Sequence, residues 1–139
     1  SEVKYLGMII DQNLNFGRHI EDCQTKSGNF FKAMYPILCR KSHLSITNKM
    51  LIYKAAILPK ITYASPVWSG SAVSNINKLQ RTQNKILKCI LGVGKRFPTR
   101  ALHEILEMDT ITERIDRQTQ KFISECQRSN YDLIRLLAT

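Results

Sequence analysis

The chain has 139 residues, of which 43% are hydrophobic and 23% charged, which fits one compact domain with a real core, or one and a small appendage. No apolar run approaches the roughly 20 residues that span a bilayer, and the N-terminal Ser-Glu-Val-Lys carries no export signal. Collagen-like, disordered, secreted and membrane-spanning classes are therefore excluded from the expectation. Lys and Arg number 21 against 11 acids, a net charge of +10. From Cys23 to His103, 81 residues, there is no Asp or Glu but 14 basic residues. Segregation of this kind costs stability through self-repulsion and points to a polyanionic partner, nucleic acid first.

Taken in chain order, Val3 to Ile10 is β-branched and aromatic and ends at Asp11-Gln12-Asn13, which predicts a short strand and turn. A first helix is expected from Phe16 or Gly17, with a stripe of Ile20, Cys23, Phe30, Phe31, Met34, Ile37 and Leu38, kinked or stopped at Pro36. Ser45 caps a second helix over about 46–58 that is apolar almost all round and so belongs at the centre of a bundle. Between Pro59 and Pro66 the chain is either a kinked continuation or a loop.

A third helix over about 72–91 is the clearest amphipath. Leu79, Ile86, Leu87, Ile90 and Leu91 share one side, and Lys78, Arg81, Lys85 and Lys88 form a basic ridge about 15 Å long on the other. Gln83 lies near the apolar arc and requires a buried partner. Gly92-Val-Gly94 stops the helix, and Lys95-Arg96 extend the basic surface. A short helix over about 99–107 precedes Thr110-Ile-Thr-Glu113, a capping box that opens a last helix with Ile115, Phe122 and Cys126 inward. A final apolar piece covers Leu133 to Leu137. The fold class is all-α, a helical bundle with a short N-terminal strand or hairpin, divided into 1–15, 16–96 and 97–139.

Chemistry-bearing patterns are absent. No glycine-rich phosphate loop, nucleophile elbow or paired carboxylate set is present, so no catalytic residue is assigned. His19, His43 and His103 are expected at the surface or in caps. His19 with Cys23, and Cys39 with His43, have the i, i+4 spacing of a zinc half-site, but core packing of the thiols outweighs it, and no metal is assigned. The four cysteines read as reduced thiols of an intracellular protein.

Several ordered blocks resemble reverse transcriptases of non-LTR, LINE-type, jockey-like retrotransposons. They are Val3-Lys-Tyr-Leu-Gly-Met-Ile-Ile-Asp11, His19-Ile20, Leu51-Ile-Tyr-Lys54, Pro59 to Trp68, Leu79 to Lys85, and Leu102-His103. The resemblance implies that Tyr5-Leu6-Gly7 matches the primer grip and that the following helices form a thumb clasping template–primer duplex. The palm, its catalytic aspartates and its Mg²⁺ would lie outside this chain, leaving a non-catalytic part with no cofactor of its own.

A thumb needs Lys and Arg against sugar–phosphate backbones, read without regard to base. Lys78, Arg81, Lys85 and Lys88 are the first candidates, Lys26, Lys32, Lys49 and Lys54 the second, with Lys95 and Arg96 beside them. Tyr53, Tyr63 and Trp68 are expected to fill core or helix junctions rather than stack on bases. The expected partner is RNA–DNA or another duplex, in a nuclear or cytoplasmic ribonucleoprotein. The alternatives are a bundle docking another part of its polyprotein or a host factor, and a domesticated nucleic-acid or chromatin adaptor.

Overall fold

The computed structural model describes residues 2–13, 15–128 and Leu136. Strands β1 (Glu2–Tyr5) and β2 (Met8–Asp11) form an antiparallel hairpin in the register Glu2↔Asp11 to Tyr5↔Met8. The expected strand is thus broken at its middle. Leu6 and Gly7 both take positive φ, 51° and 81°, the two-residue turn whose twist matches the strands it joins. Leucine gives no turn signal, so the apolar run hid the break.

Helix α1 (Gly17–Leu38) runs through Pro36 and ends two residues later, with Cys39 N–H donating to Tyr35 O at 2.9 Å. Its last turn absorbs the missing donor without a stop. Ser45 caps α2 (Ile46–Ile52) as expected, its hydroxyl accepting from Asn48 N–H at 3.2 Å. The helix continues through a π-helical turn, Tyr53–Ile57, into α3 (Leu58–Ile61). In the wide turn Leu58 N–H reaches back to Tyr53 O, one residue beyond the α pattern, just where Pro59 follows with no donor and a ring that crowds an ordinary turn. A second short helix, α4 (Ser65–Trp68), follows.

Helix α5 (Val73–Leu91) ends on Gly92 at φ 76°, whose N–H bonds Lys88 O while Val93 N–H bonds the same carbonyl. Helix α6 (Thr99–Ile105) and helix α7 (Ile111–Gln127) complete the described fold. Both halves of the capping box form at Thr110 and Glu113. The core is continuous from Ile20, Cys23, Phe31 and Leu38 through Tyr53, Ile57, Ile61 and Trp68 to Leu79, Ile86, Leu87, Ile90, Leu102 and Ile115.

Helices α1 and α5 make the most extensive packing, α5 on α1, α2, α6 and α7 and α1 also on α3, the π turn and β2, whereas the apolar second helix is not buried all round. That helix leaves Leu51 60% exposed and Ile46 44% exposed. Phe122, expected inward, is half exposed, as is Ile37 of the α1 stripe. The apolar piece at 133–137 lies outside the described residues apart from Leu136. No helix among the described residues is long and apolar enough to cross a membrane.

Candidate nucleic-acid interface

Helices α1 and α5 pack side by side, and their outer flanks enclose a groove of about 600 Å³. Its lining includes Lys32 and Tyr35 from α1 and Arg81, Thr82 and Lys85 from α5, over a floor of Phe31 and Ile86. The cleft continues past Lys88 towards Lys95 on one side and Arg40 on the other. No carboxylate among the described residues lines any part of it.

The four cations of the ridge are not equivalent. Lys78 Nζ lies 3.5 Å from Glu21 of α1, and Lys88 Nζ donates to Lys95 O at 2.7 Å, tying the loop after α5 to its last turn. Arg81 and Lys85, between them, are exposed and make no ion pair among the described residues. They and Lys32 are the cations that the fold brings to one groove unpaired.

The remaining candidates separate. Lys26 sits on another flank of α1 in an ion pair with Asp22 at 2.9 Å, and that hydrogen bond raises its ammonium above the usual lysine value. Lys49 is only 3% exposed, and its Nζ donates to Cys39 O at 2.8 Å. It satisfies a carbonyl at the end of α1 and cannot also reach a phosphate, so it leaves the candidate set. Lys54 is exposed on the π turn and Arg96 on the loop after α5, both outside the groove lining. Arg40 and Lys60 were not singled out from sequence. Arg40 packs its stem over Gly92, where a Cβ would stand 3.2 Å from Arg40 Cγ. Lys60 Nζ lies 5.4 Å above the Phe30 ring, a cation–π contact.

The Tyr5-Leu6-Gly7 segment is a clasped hairpin tip, with Leu6 and Gly7 forming its turn. Tyr63, half exposed rather than a core residue, donates its hydroxyl to Leu6 O and lies over Gly7, where a Cβ would meet the ring at 3.3–3.4 Å. Below it His19 is buried, contrary to the expected surface place. Its Nδ1 accepts from Ile9 N–H at 3.3 Å, which leaves the ring hydrogen on Nε2, facing Tyr63 O at 3.2 Å. Trp68 Nε1 donates to the same carbonyl at 2.7 Å. Cys23 Sγ stands 3.4 Å from His19 Nε2, and burial, with a smaller effect of Asp22, pushes its thiol up to about 12. No group of three His, Cys, Asp or Glu placed to hold a metal occurs among the described residues.

The opposite flank of α5 forms a second buried polar cluster. Gln83 finds the partner its position demands, donating to Asp109 O at 3.1 Å, while its Oε1 accepts from Gln80 Nε2 at 2.7 Å. Gln80 Oε1 accepts from Ile111 N–H at 2.8 Å, an orphan donor at the start of α7. His103, also buried, bonds Met108 O at 2.9 Å and Asn84 Oδ1 at 3.1 Å.

The same pattern of blocks is found in known proteins. The chain is 30% identical over 125 residues to the probable RNA-directed DNA polymerase from transposon X-element of Drosophila melanogaster, covering 90% of this chain and 14% of that protein. It is 33% identical over 121 residues to the RNA-directed DNA polymerase from mobile element jockey of Drosophila funebris, covering 87% and 13%. A third relative, the probable RNA-directed DNA polymerase from transposon BS of Drosophila melanogaster, is 28% identical over 137 residues, covering 99% and 15%. The chain is homologous to one region of retrotransposon RNA-directed DNA polymerases. The jockey-like resemblance in the sequence is thereby borne out, and the region is about one-seventh of its relatives' length. No protein-family model and no solved structure matches it. Several of the blocks that carry the resemblance meet at these two clusters: 3–11 with His19 and 63–68, and 79–85 with Leu102-His103.

Proposed function

We propose that this region acts as a thumb-like, non-catalytic part of a reverse transcriptase, holding template–primer nucleic acid through its backbone phosphates. The observation that carries the reading is the groove in which Lys32, Arg81 and Lys85 stand exposed with no carboxylate partner among the described residues. A cation without a partner gains most from a phosphate, because it gives up no existing ion pair and releases a condensed counterion. Contacts of this type carry no base information, which suits a polymerase advancing one nucleotide per cycle. The catalytic carboxylates and their Mg²⁺ would be supplied by other parts of the parent protein, and the bundle's role would be to bind and orient the duplex.

The test is binding of the chain to a labelled RNA–DNA primer–template across a salt titration, beside the Arg81→Glu/Lys85→Glu variant. The expected result is a linear fall of log affinity with log salt, at about 0.9 per phosphate contacted. The variant should bind about a hundredfold more weakly, with a slope shallower by about 2 and an unchanged helical circular dichroism signal. A flat salt response, or a variant that binds as the parent chain does, overturns the proposal. Either result would favour docking of a protein partner, for which the half-exposed Val67 and Phe122 offer apolar surface.

A further inference from the structure

Gly28 is out of place as a helix residue. It stands in the interior of the 22-residue α1, where glycine costs stability relative to alanine. Packing gives no reason for it, because a Cβ built there meets no atom within 4 Å. The open space above Gly28 belongs to the α1–α5 groove.

Two turns further along the same helix, Tyr35 lines that groove and is 51% exposed. Its ring stands edge-on to buried Phe31, with centroids 6.0 Å apart and planes at 80°. Phe31 thus holds the tyrosine in place while half of its surface stays open. Lys32 and, across the groove, Arg81 and Lys85 flank it. The volume, about 600 Å³, is that of a small-molecule site.

A duplex keeps its bases stacked inside and offers phosphates at its surface. Cations alone would serve it, with no use for an exposed aromatic or a missing side chain. Unpaired nucleotides differ, since each presents a flat apolar face beside its phosphate, the combination that an aromatic set among Lys and Arg binds.

We infer that the α1–α5 groove is a subsite for single-stranded nucleic acid, in which Tyr35 stacks on an unpaired base, Gly28 admits the close approach of the strand, and Lys32, Arg81 and Lys85 bind the phosphates. This deepens the nucleic-acid reading above and rests on it. The single-stranded stretch that fits is one adjoining a duplex held on the same basic face.

The experiment measures affinity of the 139-residue chain for a short oligonucleotide, for a blunt RNA–DNA duplex, and for that duplex with a single-stranded overhang. The variants are Tyr35→Ala, Tyr35→Phe, Gly28→Leu and Arg81→Glu/Lys85→Glu. Tyr35→Ala should weaken the oligonucleotide and overhang about tenfold and leave the blunt duplex unchanged, with Tyr35→Phe close to the parent chain. Gly28→Leu should match Tyr35→Ala in binding while keeping or raising the melting temperature, a separation that no folding defect produces. If Tyr35→Ala and Gly28→Leu bind single strands as the parent does, while the charge reversal still weakens duplex binding, the subsite is refuted and the thumb reading survives. If none of the three ligands binds, both fall.

Discussion

The two flanks of α5 use polar residues from one seven-residue block, Leu79 to Lys85, in opposite ways. On one flank Gln80 and Gln83 turn inward and, with half-buried Asn84 between the flanks, their amides close backbone and imidazole groups of the 103–111 segment. On the other, Arg81 and Lys85 face a groove and make no ion pair among the described residues. Residues adjacent in sequence therefore do different work, one set holding the fold and the other left unsatisfied by it. A shared sequence block is not by itself a binding site. The test is whether the fold already uses each side chain.

The sharpest way to separate the two flanks is Gln83→Ala. It removes the side-chain donor to Asp109 O and one of the acceptors of the Gln80 amide, which keeps Asn84 Oδ1 at 2.9 Å, and should cost about 1–3 kcal/mol in urea unfolding while leaving the folded protein's affinity for nucleic acid unchanged. A loss of affinity at full folding would erase the distinction. Next in size is an alkaline effect at the other buried cluster. The Cys23 thiol ionises near 9 when unfolded and near 12 when folded, so above pH 9 the unfolded chain loses its proton first and stability falls. Burial raises the Tyr53 phenol in the same direction. The unfolding free energy from urea titration should drop by on the order of 1–2 kcal/mol between pH 9 and 10.5, and Cys23→Ala should remove part of that drop. A midpoint flat across this range would deny the burial of both groups. The smallest effect is expected at Thr110→Ala, which removes the cap of α7 for about 1 kcal/mol of thermal stability without changing the salt slope of binding.

Features governed by neighbours along the chain were legible in the sequence. Ser45, the Thr110–Glu113 box, the Gly92 stop and the two faces of α5 all follow from local backbone chemistry or helical period. Gln83 was legible too, because a polar side chain on an apolar arc must be satisfied. What escaped depends on partners distant in space. Lys49 reads as a surface cation until α1 ends beside it and offers the Cys39 carbonyl. His19 reads as a cap until the hairpin and Tyr63 converge on its two nitrogens. The groove itself exists only because α1 lies along α5, so Gly28 and Tyr35 gave no signal as a pair.

The hairpin clasp has a consequence for the order in which the chain acquires structure. A two-stranded hairpin is marginal in water by itself, and this one is held at its tip by Tyr63, 57 residues away, and near its base by Ser71, whose hydroxyl donates to Asn15 O at 3.1 Å. The hairpin must therefore wait for Tyr63 and Ser71, on either side of α4, before it settles. Residues 2–11 should be among the last to gain amide protection in a refolding pulse, after the local contacts of α1 and α5 have formed.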